Sequence, residues 1–360
     1  MNLTITTLLN DANIVKAVID RTLAMGLDVI YWKRHFQFEP TQTRTFKTYL
    51  GTVTGVTAGS IIGANSNKPL RNRRSLGSGY GEVACLGDKY QMDNDRLAML
   101  QLLIDKFNVA KTVDQQSALN DIIDYIVNDF RQVLLAPHKR MDLVTGSLRS
   151  TGKAEVKMAD NPEGIEMLDM ELPFEFITTA ASEKNTFISY LKAQLEQLKT
   201  RFGAFQTIEM NRSTFNKAIV GCAEFGSTFK MILSNKDEMS LATGLITSQM
   251  ATQVFTGIGL PAIVINEDMV EKEDGTFEKC FADDRISLFQ SEDLGKMMYH
   301  TPYEIIDPIP GKTYTRSEGG MYVSNVRTDE GRFMEYGAEW IPNFKAPNKV
   351  VNFNLSTMLG

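Results

Sequence analysis

The residues best suited to chemistry lie in one short segment, residues 70–82, which reads LRNRRSLGSGYGE. Glycine beside positive charge is a common way for proteins to hold phosphate. The arginine and glycine positions are Arg71, Arg73, Arg74, Gly77, Gly79 and Gly81. This pattern allows three interpretations, which are a nucleotide-binding loop, a solvated flexible loop, and a basic loop that docks on another protein surface.

The nucleotide interpretation lacks the neighbouring residues that it needs. A Walker-type loop requires GxxxxGK followed by Ser or Thr, and a dinucleotide fingerprint requires GxGxxG at the start of a helix. Here the spacing is GxGxG, no lysine follows, and the next residues, EVACLGDKYQM, are typical of a strand. The kinase motifs HRD and DFG are absent downstream. A nucleotide-binding enzyme that uses residues 77–81 remains a minor alternative.

The other residues that could act in catalysis also lack the partner residues that a catalytic site needs. GxSxG does not occur, and a Cys222 nucleophile with His300 as its base would compete with the simpler interpretation of a buried structural cysteine. Asp283 and Asp284 precede a predicted strand, where acidic turns are common. The three cysteines are widely spaced, and no two histidines have helical metal-ligand spacing. We therefore predict no enzyme, no catalytic residue, no cofactor and no metal site.

The composition predicts a globular protein of one large or two ordinary domains. The chain has 360 residues, of which 43% are hydrophobic and 23% charged. It contains no apolar run of the roughly 18 residues that would cross a bilayer. The first residues lack the basic and small-residue features of a secretory signal. We expect the protein to stay in the cytoplasm where it is made.

Charge is distributed unevenly along the chain. Residues 1–90 carry eleven Lys or Arg against six Asp or Glu, a net of +5, and the whole chain carries −6, which leaves −11 for residues 91–360. We call residues 1–90 the basic head and residues 91–360 the acidic body. The basic head could bind a polyanion or the acidic body of another copy. Nucleic acid is the weaker interpretation of this head and of the triplet Lys33-Arg34-His35, because the body is acidic and no named binding motif is present.

The first ninety residues predict one helix and then a long excursion. Helical spacing over residues 11–30 indicates an amphipathic helix with Asp11 as its cap, and residues 36–53 are typical of extended chain. Residues 51–82 are rich in glycine, and residues 82–92 return as a strand. A two-stranded ribbon is barely stable alone in water, so we expect contacts from outside the domain to hold this excursion.

Later elements alternate between helix and strand. Helices are predicted over residues 93–109, 114–135, 185–202, 211–220 and 238–255, with Pro137 ending the second of them. A glycine-turned hairpin is predicted over residues 143–158, and strands over residues 164–177, 207–210 and 260–270 and throughout the tail from Met321. A further strand is predicted within residues 283–290, after the turn at Asp283 and Asp284. The acidic run from Glu271 to Asp274 is predicted to be a solvated hairpin tip.

The order of these parts resembles the major capsid proteins of tailed phages, and most of all the lambda-type family with the Hong Kong 97-type fold. Four stretches carry the resemblance. They are RTFKTYLG with the glycine-rich excursion and CLGDKYQM, the long helix of residues 114–135 with LVTGSLRSTGKAEV, ADDRISLFQSEDLGK, and AEWIPNFKAPNKVVNFNLST. The match covers nearly the whole chain, and its specificity lies in the order and spacing of the motifs.

The resemblance implies an α+β fold with an N-terminal arm, an extended β-hairpin loop, a long spine helix with a β-sheet, and a mixed α/β axial domain. The implied boundaries are residues 1–40 for the arm, 41–92 for the extended loop, 93–185 for the peripheral domain, 186–300 for the axial domain and 301–360 for the returning strands. The chain reaches its arm within about 40 residues, without the long N-terminal scaffolding segment of some family members. A separate scaffolding protein is therefore implied. We carry over no lysine–asparagine crosslink.

The implied function is a structural shell that encloses phage DNA without reading its sequence and that stays in the virion after assembly in the host cytoplasm. The implied partners are further copies in hexamers and pentamers, the scaffolding protein, a portal and decoration proteins, and no membrane. The extended loop would contact a neighbouring copy through Ile61, Ile62, Lys68, Leu70, Arg71, Arg73, Arg74 and Tyr80. The main alternative is an encapsulin-like nanocompartment that holds a cargo enzyme.

Overall fold

The structure is a computed structural model, and it describes residues 3–24, 29–50, 77–110, 112–156, 168–233, 246–272, 274–329, 331–345 and 347–360. The helices in chain order are α1 Ile5–Asn10, α2 Ala12–Ala24, α3 Asn94–Val109, α4 Thr112–Thr151, α5 Phe187–Phe202, α6 Arg212–Thr214, α7 Ala223–Leu233, α8 Ser248–Gly257, α9 Tyr303–Ile306 and α10 Ser356–Leu359. A π-helical segment, Phe215–Val220, continues α6. Short 3-10 helices cover Trp32–Arg34, Ala181–Lys184, Glu318–Gly320 and Pro347–Lys349.

The strands pair into two larger sheets and three ribbons. In chain order they are β1 Phe36–Pro40, β2 Thr45–Leu50, β3 Gly77–Glu82, β4 Ala84–Met92, β5 Lys153–Val156, β6 Leu168–Glu171, β7 Glu175–Thr178, β8 Thr207–Asn211, β9 Ala262–Asn266, β10 Met269–Glu271, β11 Phe277–Lys279, β12 Arg285–Phe289, β13 Gly295–His300, β14 Thr313–Arg316, β15 Tyr322–Thr328, β16 Gly331–Phe344 and β17 Val351–Asn354. The six-stranded sheet has the order β1-β13-β16-β15-β14, with β4 also on β16, and the five-stranded sheet has the order β7-β17-β12-β8-β9.

The first core lies between helices and the six-stranded sheet. The buried face of α4 (Ile122, Ile126 and Phe130) packs in one cluster with Val18 of α2 and Trp340 of β16. Asp11 caps α2 as the sequence predicts, because its Oδ1 accepts a hydrogen bond from the backbone N–H of Asn13 at 2.9 Å. The N-terminal helices are therefore held by the same apolar cluster as the long helix.

The second core is formed by the five-stranded sheet and the helices around it. Helix α5 contributes a buried stripe at helical spacing, and β17 supplies Phe353 from the chain's last strand. The two cores are separate clusters of buried residues. The five domain segments predicted from the sequence stay predictions.

Helix α4 is the main correction to the sequence-based prediction. It was expected to end before Pro137, yet it runs through the proline to Thr151 and would be about 60 Å long at 1.5 Å per residue. Proline in a helix interior costs about 3 kcal/mol. The next turns bury Met141, Val144 and Leu148, and each such side chain gains about 1.5–3 kcal/mol. Burial therefore outweighs the local cost.

The hairpin predicted over residues 143–158 is wrong for the same reason. Residues up to Thr151 belong to α4, and the first strand begins only at Lys153. Gly152 supplies the turn, with a φ of +70° that favours glycine. The real partner of β5 is β6, with Lys153 opposite Glu171.

Two further helices differ from prediction. A helix is predicted to start at Glu238, and its described part is α8, which begins at Ser248. The Thr247 side chain caps α8, because its oxygen accepts a hydrogen bond from the Met250 N–H at 3.3 Å. Residues 234–245 lie outside the described residues. Helix α7 was not predicted at all.

Where the structure describes them, most other predicted elements are confirmed, including the strands that follow Met321 and the hairpin after Glu271. The helix predicted over residues 11–30 is described as α2 up to Ala24, residues 29 and 30 are not helical, and residues 51–76 lie outside the described residues. Helices α1, α9 and α10 and strands β13 and β14 were not predicted.

Candidate functional site

The β2–β3 ribbon carries the segment that the sequence singles out. Its two strands are antiparallel, from Thr45 opposite Glu82 to Leu50 opposite Gly77. Seven of the eight predicted contact residues lie outside the described residues, namely Ile61, Ile62, Lys68, Leu70, Arg71, Arg73 and Arg74. The eighth, Tyr80, belongs to β3 and lies opposite Lys47.

The three alternating glycines, at residues 77, 79 and 81, are part of strand β3. Successive residues of a strand face opposite sides, so all three glycines lie on one face of the ribbon. The chain then continues into strand β4, whereas a phosphate loop would lead into the N-terminus of a helix. The arrangement favours a paired β-ribbon over a nucleotide cradle.

One backbone hydrogen bond closes the base of the ribbon, and a second joins the preceding residues to the six-stranded sheet. The N–H of Val83 donates to the carbonyl of Arg44 at 2.9 Å, and the N–H of Thr41 donates to the carbonyl of Tyr299 at 2.8 Å. Val83 is buried against Met298. Beyond this point all nine residues of β4 pair with β16, so the ribbon projects from a strand that is paired along its whole length.

The charged side chains of Arg44, His300 and Glu339 reinforce this base. Nδ1 of His300 lies 2.7 Å from the Glu339 carboxylate, and Nε of Arg44 lies 3.7 Å from it. A guanidinium nitrogen of Arg44 also contacts the Cys85 thiol. One carboxylate on β16 therefore holds both the β1–β2 connection and β13.

The basic triplet, residues 33–35, is bound within the subunit. Lys33 pairs with Glu318, and the Arg34 guanidinium lies 3.3 Å from the Asp268 carboxylate. Nε2 of His35 lies 2.6 Å from an Arg149 nitrogen. These contacts account for the triplet without any nucleic acid.

Behind the triplet lies a buried polar cluster that we call the ionic joint, formed by His35, Arg149, Glu209, Asn266 and Asp268. The Arg149 guanidinium, 1% exposed, donates to the Glu209 carboxylate at 2.8 Å and lies 3.9 Å from that of Asp268. Asn266 donates to the same Glu209 oxygen at 2.9 Å. The joint connects α4 of the first core with β8 and β9 of the second.

Burial controls protonation in the joint. It lowers the pKa of His35, and the Arg149 guanidinium lowers it further. A neutral ring fits the geometry, because Nδ1–H can donate to the Glu292 carbonyl at 2.9 Å while Nε2 accepts from Arg149. Burial also raises the pKa of Asp268, against the opposing effect of Arg34 and Arg149.

A second buried carboxyl adjoins the joint. Oδ1 of Asp142 accepts the backbone N–H of Trp32 at 2.8 Å, and Lys139 lies 3.7 Å from Oδ2. Burial, assisted by the Asp268 charge, raises the pKa of Asp142 to about 7 despite the hydrogen bond and Lys139. Burial also raises the pKa of the neighbouring Cys280 thiol to about 12, which keeps it unreactive.

The C-terminal end of α4 is bound directly to the five-stranded sheet. The Ser287 hydroxyl donates to the Arg149 carbonyl at 2.7 Å, and Asn352 donates to Ser287 at 2.8 Å and to the Ser150 carbonyl. Sequence reasoning missed these residues because it placed Arg149 in a hairpin. A signal for them was present in the sequence: the apolar spacing of a helix continues past Gly146, and small and polar residues lie between the apolar positions.

The other catalytic hypotheses are not supported. Cys222 is buried in the second core and donates to the Asn185 carbonyl at 3.2 Å, whereas His300 lies on β13 of the other sheet with Glu339. Asp283 binds Lys279 at 2.8 Å. Across the described ranges, no group of three or more His, Cys, Asp or Glu could hold a metal ion. None of the helices in those ranges is both long and apolar enough to span a bilayer.

Solved structures match this chain over most of its length. A prophage protein of Escherichia coli CFT073, described provisionally as a capsid protein, superposes with a TM-score of 0.56 at 12% identity, over 95% of this chain and 98% of that one. A phage-related protein of Bordetella bronchiseptica RB50 gives 0.48 at 10% identity over 95% and 96%, and the capsid of Myoviridae phage XM1 gives 0.43 at 11% over 91% of each chain.

No protein-family model matches the chain, and no curated protein matches it. The prophage comparison confirms the predicted fold class, an α+β chain with a projecting ribbon, a long helix on one sheet and a second mixed layer. The chain has the fold of that prophage protein.

Proposed function

We propose that the protein is the structural subunit of a self-assembling shell that encloses phage DNA. The observation that carries this proposal is the match to the prophage protein over 95% of this chain and 98% of that one. The projecting ribbon supports it, because a two-stranded ribbon needs contacts beyond its own subunit. The described residues supply structural reasons for the buried charges, and we propose no catalytic residue, cofactor or metal.

The ribbon would lie across a neighbouring subunit. Arg71, Arg73 and Arg74 would set its register against the acidic body of that copy, although each exposed ion pair contributes only about 0–1 kcal/mol. Ile61, Ile62, Leu70 and Tyr80 would bury apolar area, and Lys68 would add to the positive charge. Heterologous contacts of this kind close into rings and shells.

The proposed assembly consists of hexamers and pentamers of this chain. A separate scaffolding protein, a portal and decoration proteins would complete it, and the DNA would be enclosed without recognition of its sequence. The mature location is the virion after assembly in the host cytoplasm.

Electron microscopy of the purified chain, with and without a scaffolding protein, tests the proposal. Closed shells of uniform size are expected, and monomers under all conditions would contradict it. Mass spectrometry and nuclease treatment of isolated particles distinguish the alternatives, because packaged DNA supports the phage shell whereas packaged enzyme supports an encapsulin-like compartment. For the nucleotide alternative, binding of ATP or NAD that Gly79→Val abolishes would support an enzyme.

A charge-reversal variant tests the docking of the ribbon. Changing Arg71, Arg73 and Arg74 together to Glu should leave the monomer folded and prevent assembly, because the reversed charges repel the acidic body. The matched control reverses Lys192, Lys199 and Arg201 on α5, which changes the net charge equally. Normal particles from the ribbon variant would exclude this docking mode.

A further inference from the structure

Helix α3 is apolar on two opposite faces. One face is buried in the first core, with Leu100 and Ile104 both 0% exposed. On the other face Leu102 is 64% exposed, Met99 46% and Val109 85%. A surface helix of a monomer normally has a polar outer face, so this second apolar face indicates a further contact.

The exposed face has a regular order of residue types. Asp95, Met99, Leu102 and Lys106 follow one another at spacings of four, three and four, which places them in one line along the helix. We call this line the α3 seam. It has an acid at its N-terminal end, two apolar residues in the middle, and a base at its C-terminal end.

This order is complementary to itself when the helix is reversed. If two copies of α3 pack antiparallel, Asp95 of each lies opposite Lys106 of the other, and Met99 of each lies opposite Leu102 of the other. Antiparallel packing also brings opposite ends of the two helix dipoles together. We propose that the α3 seam is a two-fold contact between copies of this chain.

The contact would join subunits only within a larger assembly. A pair of four-residue seams is far smaller than the 1,200–2,000 Å², roughly, that a stable complex buries, so it cannot hold an isolated dimer. The inference therefore rests on the proposed shell, in which many weak contacts act together. A two-fold contact is isologous, and the self-complementary order satisfies that requirement from a single helix.

A zero-length crosslinker tests the register in assembled particles. Asp95 and Lys106 are 11 positions apart, which is about 16 Å along one helix, so a direct carboxyl–amine bond between them must join two chains. Particles assembled from a mixture of ¹⁵N-labelled and unlabelled protein should yield mixed-isotope Asp95–Lys106 peptides. Asp95 crosslinked instead to a ribbon lysine or to another protein would overturn the proposal.

Charge reversal provides the second test. Lys106 also pairs with Asp121 of α4 at 2.8 Å, so all proteins are compared in an Asp121→Asn background. Asp95→Lys or Lys106→Asp alone should raise the subunit concentration for half-maximal assembly about fivefold, because each places like charges together twice. The double variant restores opposite charges and should return within about twofold of the parent.

The possible outcomes separate this inference from the proposed function. If the Asp121→Asn parent forms no particles while the wild-type chain does, the comparison is repeated in the wild-type background. If the wild-type chain forms shells but the double variant assembles no better than either single variant, the two-fold seam is excluded and the shell function stands. If the wild-type chain forms no particles under any condition, the shell function itself fails.

Discussion

The ionic joint and the α3 seam reverse the usual distribution of residues in opposite ways. The joint places a guanidinium and two carboxylates where water is excluded, whereas the seam places methionine and leucine side chains in water. Ordinary folding would avoid both arrangements. The comparison teaches that each region is explained by what it connects: the joint links two cores of one subunit, and the seam would link two subunits.

The energetic consequences of the two regions differ as well. Removing one partner of a buried ion pair leaves an uncompensated charge and affects the stability of the single chain. Removing an exposed apolar side chain leaves that stability nearly unchanged and affects only association. Measurements on the unassembled subunit and on the particle therefore separate the two regions.

The largest expected effect is in the joint. Arg149→Met leaves the buried Glu209 carboxylate without its cation and Asp268 with Arg34 alone, and it should lower the free energy of unfolding by about 3–5 kcal/mol. Urea unfolding of the unassembled subunit measures it. The control is Arg201→Met, which removes an exposed Arg–Glu175 pair with bonds of 2.6 and 2.8 Å and should cost about 0–1 kcal/mol. Equal losses in the two variants would show that burial does not distinguish these pairs.

The two faces of α3 allow the next comparison. Leu100→Ala removes a fully buried side chain and should cost about 2–5 kcal/mol in subunit stability. Leu102→Ala, two residues away in the same helix, should change it by less than about 0.5 kcal/mol while weakening assembly. Thermal unfolding and particle yield test both parts. A large stability loss from Leu102→Ala would place that side chain in the subunit's own core.

A close approach of α4 to the segment before β12 gives a third test. A Cβ on Gly146 would lie 2.3 Å from the carbonyl oxygen of Cys280, so Gly146→Ala must displace backbone and should cost about 1–3 kcal/mol. Gly226 in α7 has nothing within 4 Å of such a Cβ, and Gly226→Ala should stabilise by about 0.5–1 kcal/mol. If Gly146→Ala is tolerated as well as Gly226→Ala, α4 and the segment at Cys280 are not tightly packed here.

The last effect concerns the pH dependence of stability. Because the folded pKa of Asp142 is raised to about 7 from 3.8, the native state binds the proton more tightly between these values, and stability falls as pH rises through them. Asp142→Asn removes this dependence and keeps the acceptor for the Trp32 N–H. The stability of the variant relative to wild type should therefore rise by about 2–3 kcal/mol between pH 5 and pH 8. A constant difference would mean that Asp142 is ionised throughout.

Much of the fold could be predicted from sequence because local patterns agreed with tertiary packing. The stripe of α5 and the strand with Ile286 and Leu288 have apolar periods that survive in the folded chain. The α4 prediction failed at Pro137 because a local rule was applied where long-range burial decided the outcome. Apolar residues at positions 141, 144 and 148 have helical spacing in the sequence, but residues 144 and 148 were assigned to a hairpin.

The candidate sites were harder to predict, for physical reasons. Arg149 and Glu209 are 60 positions apart, and nothing local indicates that the fold brings them together. The basic triplet at residues 33–35 was noticed, but its partners Glu318 and Asp268 lie far along the chain. The ribbon could be predicted from its glycines, and its contact residues remain a prediction.

The position of β17 has a consequence for the timing of biosynthesis. This strand lies inside the five-stranded sheet, between β7 and β12, and it brings Val351 and Phe353, both fully buried. While the ribosome is still translating residues before 351, the sheet has an unfilled slot and the second core stays open. A nascent chain therefore cannot present a finished subunit to its neighbours, which delays association until translation has passed β17.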